Sequence, residues 1–126
     1  MKVKDVMTKD VISVDKNVNL RYVLKLMKKN EITKIPVVED KKLVGVITDN
    51  IIAMKLGSIK TKGIPASRLH ASFVTEKEID TISPEEELKT VLKKVGKPGP
   101  TIINVVDNNN LIGILTKADL LPLVNS

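Results

Sequence analysis

The chain matches itself when slid by 68 positions, without a gap through its main elements. This constrains the fold strongly, because a unit so short buries little alone and must pack against its copy. Val11-Ile12-Ser13-Val14 falls on Ile79-Asp80-Thr81-Ile82, two short runs of β character. Leu20, Val23, Leu24 and Met27 fall on Leu88, Val91, Leu92 and Val95. Both sets have the i, i+3, i+4, i+7 spacing of one apolar helix face. Ser83-Pro84 ahead of Glu85-Glu86-Glu87 reads as a helix start, with a capping Ser, Pro at the first helical position and acids in the first turn. Lys34-Ile35-Pro36-Val37-Val38 falls on Ile102-Ile103-Asn104-Val105-Val106, and Leu43 to Thr48 falls on Leu111 to Thr116. The polar turns Glu39 to Lys42 and Asp107 to Asn110 close a β-hairpin in each half. Apolar short helices, Ile51 to Leu56 and Leu120 to Val124, end the halves. The expected fold is mixed α/β (α+β), a β-α-β-β-α repeat occurring twice and packed as a pseudo-twofold pair. The expected division is repeat 1 over 1–57, a linker over 58–64 and repeat 2 over 65–126.

Composition narrows the function. Aromatic residues are 2% of the chain, so the core must be Val, Ile and Leu, and bases have almost nothing to stack on. There is no Cys and one His, His70, which leaves no thiol chemistry, no histidine-rich metal site and no place to build a catalytic triad. No metal, no required cofactor and no enzymatic activity are expected. Met7, Met27 and Met54 read as core filler. The acids at 85–87 read as helix-start charge rather than a metal site. No apolar run approaches a membrane span or a signal sequence, so a cytoplasmic protein without membrane association is expected. The net charge of +6 suits polyanions or a solvated lysine surface.

The stretch Gly113-Ile114-Leu115-Thr116-Lys117-Ala118-Asp119 carries the candidate chemistry. A buried strand ends in a hydroxyl, and a carboxylate follows within the first turn of a helix. Free N–H groups and the helix dipole at Thr116 favour an anion, and Asp119 can accept hydrogen bonds from hydroxyls of a bound molecule. Phosphate near Thr116 and ribose near Asp119 is one ligand that fits. The matching stretch reads Gly45-Val46-Ile47-Thr48-Asp49-Asn50-Ile51, with Ile51 in place of the carboxylate. Capping accounts for Thr48 and part of Thr116, and Ile51 implies that the fold does not require Asp119, which is therefore singled out for function.

With these motifs, the Asp5-Val6-Met7-Thr8 opening and Ile35-Pro36-Val37-Val38, nearly the whole chain resembles the CBS (cystathionine β-synthase) domain family. The resemblance implies a tandem pair, or Bateman module, that binds AMP, ADP, ATP or S-adenosylmethionine in the cleft between halves and acts as a regulatory sensor without catalysis. Carried over residue by residue, it makes Thr116 the phosphate group and Asp119 the ribose group of one site, with Ile114 on the same strand. Val11, Ile32, Thr33 and Lys34 form its adenine wall, and Lys117 neutralises phosphate charge. The second site, at Thr48, Asp49 and Ile51 with Thr101 and Ile102, departs from the pattern. An aliphatic side chain cannot accept ribose hydrogen bonds, and a carboxylate repels phosphate, so this site is expected to be degraded. Arg68 and His70, just before the second half, lie in a region that supplies basic groups to phosphates in related modules; the plain reading is an exposed linker. The expected function is thus a stand-alone regulatory module that binds an adenine nucleotide and signals occupancy to an unknown protein effector, as a homodimer formed through its apolar terminal helices. The alternatives are a nucleic-acid-binding module using the lysine surface and a structural oligomerisation module with vestigial clefts.

Overall fold

A computed structural model describes residues 1–58, 62–95 and 102–124. These contain six strands and four α-helices, in two compact units. One unit is Ile12–Ile79; the other joins Met1–Val11 to Asp80–Ser126.

In the unit Ile12–Ile79 the order is β1 (Val14–Asp15), α1 (Leu20–Asn30), β2 (Lys34–Glu39), β3 (Lys42–Thr48) and α2 (Asp49–Leu56), followed by short 3-10 turns at Ala66–Arg68 and Ala71–Val74. β1 runs parallel to β2, with Val14 opposite Val37, and β2 runs antiparallel to β3. Asp40 and Lys41 both take positive φ, 48° and 70°, as the tight hairpin whose twist matches the strands requires. Asn19 caps α1 by accepting the Tyr22 N–H at 2.9 Å. The helical spacing seen in the sequence turns Leu20, Val23 and Met27 inward onto Ile35, Val37 and Ile47, all buried.

The other unit repeats the plan with β4 (Thr81–Ile82), α3 (Leu88–Val95), β5 (Ile102–Asp107), β6 (Asn110–Thr116) and α4 (Lys117–Val124). Asn108 and Asn109 form the same positive-φ turn, at 51° and 69°. Leu88, Val91, Ile103, Val105, Leu115 and Leu120 make its core together with Val3.

That Val3 belongs to this core shows how the units are assembled. The Val3 and Lys4 N–H groups donate to the carbonyls of Glu86 and Pro84, both at 3.0 Å, and the Leu88 N–H donates to Met1 O at 3.1 Å. In Ile12–Ile79, each bond recurs between the equivalent residues, one partner 68 positions later and the other 68 earlier. Ala71 N donates to Val18 O, Ser72 N to Lys16 O and Leu20 N to Leu69 O, at 2.7, 3.0 and 2.7 Å. The segment that leads into each repeat therefore packs on the body of the other repeat. The compact units and the sequence repeats share their bodies and exchange their leading segments.

Several expectations need correction. Helix α3 starts at Leu88 rather than at Pro84, because the carbonyls of Pro84 and Glu86 are taken by Lys4 and Val3. Ser83 instead stabilises a turn, accepting the Glu85 N–H on its hydroxyl at 3.2 Å. The run Val11 to Val14 contributes only Val14 to β1, and Ile79 to Ile82 contributes Thr81 and Ile82 to β4. Met27 is buried and Met7 packs on the core, but Met54 is 65% exposed, because α2 turns Ile52 rather than Met54 inward. Leu92 is also exposed, at the edge of its apolar stripe.

Candidate functional site

The strand β6 delivers Thr116 to the start of α4, where the chain must satisfy the free N–H groups of the first turn. The Thr116 hydroxyl accepts the Asp119 N–H at 3.2 Å, and the Asp119 carboxylate accepts the Thr116 N–H at 2.9 Å. This is a reciprocal capping box, with Asp in the position usually held by Glu or Gln. Asp119 therefore has a structural task, and the expectation that capping leaves it unexplained is corrected.

A third group converges on the same carboxylate. The Thr8 hydroxyl donates to Asp119, with Oγ1 at 3.0 Å from Oδ1 and 3.2 Å from Oδ2. Thr8 is held there by its backbone: its N–H and C=O both pair with Ile114 at 2.9 Å. Met7 and Thr8 cross so tightly over Gly113 that a Cβ there would lie 2.8 Å from Met7 Sδ and 2.9 Å from Thr8 O. Thr8 stood in the opening motif, but its role was not visible in the sequence. The partner is 111 residues away and is reached only because the leading segment crosses to the other repeat's body.

The junction in Ile12–Ile79 is the same framework with different chemistry. Thr48 caps α2, accepting the Ile51 N–H at 3.1 Å, and Ile51 returns nothing. Glu76, equivalent to Thr8, pairs through its backbone with Val46. The Asp49 N–H donates to Thr33 O at 3.0 Å, and its carboxylate accepts the Asn50 N–H.

Strand register gives the neighbours of some of the remaining candidates within each unit. Ile102 is the cross-strand partner of Thr116, and Lys34 is that of Thr48. Val11, Ile114, Thr116, Lys117 and Asp119 share one unit with Ile102; Ile32, Thr33 and Lys34 share the other with Thr48, Asp49 and Ile51. Ile32 packs against its unit's core, whereas Thr33 and Lys34 are exposed, as is Lys117. Thr101 lies outside the described residues. Thr116 and Asp119 are half-buried, which leaves the junction open to a solvent-borne ligand.

Among the described residues no group of three or more His, Asp or Glu side chains is placed to hold a metal ion, and no helix is long and apolar enough to cross a membrane.

Comparison with known proteins places this architecture. The CBS domain model matches residues 3–57 and again residues 71–126. The CBS domain-containing protein YhcV of Bacillus subtilis is 31% identical over 118 residues, covering 94% of this chain and 81% of that protein. The uncharacterized protein MJ1232 of Methanocaldococcus jannaschii is 32% identical over 126 residues; the match covers 99% of this chain and 40% of that protein. Among solved structures, the CBS domain pair of protein MJ0100, in complex with 5′-methylthioadenosine and S-adenosyl-L-methionine, superposes with a TM-score of 0.74 at 26% identity, covering 99% of this chain and 96% of that one. With two family matches that together span most of its length, the chain belongs to the CBS domain family.

Proposed function

We propose that the chain is a regulatory CBS pair that binds an adenosyl ligand at the Thr116–Asp119 junction and reports its occupancy to a protein partner. The carrying observation is the contrast between copies. Two junctions share strand, threonine cap and helix, yet only one has a carboxylate three residues after the threonine, at Asp119, where the other has Ile51. The solved complex of the MJ0100 domain pair, described with two adenosyl compounds, supports that ligand class. In this reading Thr116 and Lys117 face phosphate or another anionic group, Asp119 accepts ribose hydroxyls, and Ile102, Ile114 and Val11 offer apolar surface to the base. Asp119 has acceptor capacity beyond the bonds from Thr8 and Thr116, since an ionised carboxylate takes about four. AMP, ADP, ATP and S-adenosylmethionine are the candidates. The junction at Thr48, Asp49 and Ile51 is the weaker site.

Isothermal titration with these four compounds is the test. Saturable binding of at least one is expected, and Asp119→Asn should weaken it by about tenfold, the loss of one hydrogen bond to a charged group. No binding by any of them at millimolar concentration would remove the sensor reading. Signalling follows if the ligand has different affinities for two conformations of the pair.

A homodimer through helices is part of the proposal, supported by Met54 and Leu121 at 65% and 63% exposure on α2 and α4. Light scattering that gives only a monomer would end that part. A nucleic-acid function draws on α1, which carries Arg21, Lys25, Lys28 and Lys29 and no acid. It predicts salt-steep binding without preference for adenosine, which the same titrations separate.

A further inference from the structure

Asn104, in the middle of β5, is the one polar side chain buried among the described residues, at 7% exposure. Burying an amide costs stability unless its donor and acceptor are bonded. The Asn104 amide has no hydrogen-bond partner among the described residues. It is not sealed off either. No fully enclosed side-chain nitrogen or oxygen among the described residues lacks a partner, so the unbonded amide meets an opening that solvent reaches.

The strand places this amide beside the Thr116–Asp119 junction. Ile103, Val105 and Leu115 turn into the core of their unit, so Ile102 and Asn104 lie on the opposite face of β5. Ile102 pairs with Thr116 and Asn104 pairs with Ile114, which puts all four on that face. Asn104 stands two residues along β5 from Ile102, about 7 Å from the level of Thr116. The copies differ here as they do at Asp119: Pro36 stands 68 positions before Asn104, as Ile51 stands before Asp119. The shared plan therefore needs neither the amide nor the carboxylate, and both occur in the same copy.

We infer that Asn104 reads the 6-amino edge of the adenine base, an assignment that rests on the adenosyl ligand proposed for the Thr116–Asp119 junction. The amide oxygen accepts an N–H of the 6-amino group, and the amide nitrogen donates to the neighbouring ring nitrogen. Such two-point pairing is how asparagine distinguishes adenine in nucleic acids. With an anionic group at Thr116 and ribose at Asp119, a nucleoside laid along β5 carries its base over Ile102 and Ile114 to Asn104. The two isoleucines hold any purine, and Asn104 supplies the choice. A base without the amino group leaves the amide oxygen covered and unpaired, and that penalty discriminates against it.

The test is isothermal titration of the full chain with adenine compounds and with the same compounds lacking the 6-amino group. The pairs are AMP with purine riboside 5′-monophosphate, ATP with purine riboside 5′-triphosphate, and S-adenosylhomocysteine with its 6-desamino analogue. The compound that binds is expected to lose about fivefold or more in affinity with the amino group. Asn104→Leu should bind both members of that pair equally, at about the affinity of the weaker one. It should also raise the urea midpoint, because an apolar side chain of similar size replaces an unpaired amide. Asn104→Ala, which only removes atoms, should show the same loss of preference if the leucine variant does not fold. Asp119→Asn should weaken both members alike and keep the preference. Binding of adenine compounds without regard to the amino group, or a preference retained by folded Asn104 variants, would overturn this assignment and leave the adenosyl reading in place. Absence of binding by every compound would remove both.

Discussion

Gly45 and Gly113 lie where residues 75–76 and 7–8 cross the hairpin, and the two sites differ in what a methyl group would strike. At Gly113 the nearest atom is the flexible Met7 thioether, with Thr8 O behind it at 2.9 Å. At Gly45 it is the Glu76 carbonyl, which cannot turn aside. Gly45→Ala should therefore destabilise by about 1–3 kcal/mol and Gly113→Ala by less, as urea midpoints at constant slope will show. Asp119 is the second residue-scale case, because its capping box and its bond from Thr8 are present without ligand. Asp119→Ala is expected to cost about 1–2 kcal/mol of stability in ligand-free protein. A double-mutant cycle with Thr8→Val should return a coupling of about 0.5 kcal/mol or more, and a coupling of zero would show that the Thr8 bond contributes nothing. Binding data on Asp119 variants must accordingly be corrected for folding. The sequence made Asp119 visible as a candidate but hid its structural task, since local spacing shows the cap and not the hydroxyl arriving from Thr8.

At the scale of elements, the sequence was most legible where local chemistry decides the structure. The hairpin turns at 40–41 and 108–109 and the apolar face of α1 follow from period and turn residues alone. The start of α3 was not legible, because Ser83-Pro84 is a good local helix start that loses to backbone pairing with residues 3 and 4. The same contact creates the Lys2–Glu85–Lys4 cluster. Lys2 and Lys4 hold the Glu85 carboxyl below its ordinary range, chiefly through the hydrogen bond from Lys2, and Glu85 in turn raises Lys2. A depressed carboxyl contributes stability above its unfolded pKa and loses it as pH falls through the folded value. A raised lysine contributes below its unfolded pKa and loses it as pH rises through the folded value. The cluster is thus fully stabilising between the carboxylate and lysine ranges. Glu85→Gln should lower the melting temperature slightly at neutral pH, with the difference vanishing in acid and shrinking in high salt, because all three groups are exposed. A difference independent of pH and salt would assign the effect to packing instead.

For the whole molecule, the sequence repeat correctly specified two copies of one plan, and it hid which segments pack together. A 68-residue shift maps Val3 onto Ala71 and Thr8 onto Glu76, but it cannot say on whose body each leading segment lies. The structure puts Val3 in the core with Leu88 and Val91, and puts Ala71 and Val74 in the core with Leu20 and Val23. Neither repeat cut at the linker therefore contains a complete core. Residues 1–57 lack the strip Leu69 to Val74 that closes their own body, whereas residues 12–79 include it. The fragment 12–79 should therefore unfold more cooperatively and at a higher temperature than the fragment 1–57. The halves 1–58 and 62–126, expressed together, should purify as one species, because each supplies a buried segment to the other's core and the linker is not needed to hold those contacts. Circular dichroism melts and co-purification through a tag on one half measure both outcomes. If 1–57 alone melts as sharply as 12–79, or the halves separate at micromolar concentration, the leading segments contribute little to the cores. The exchange would then be only a path the chain follows.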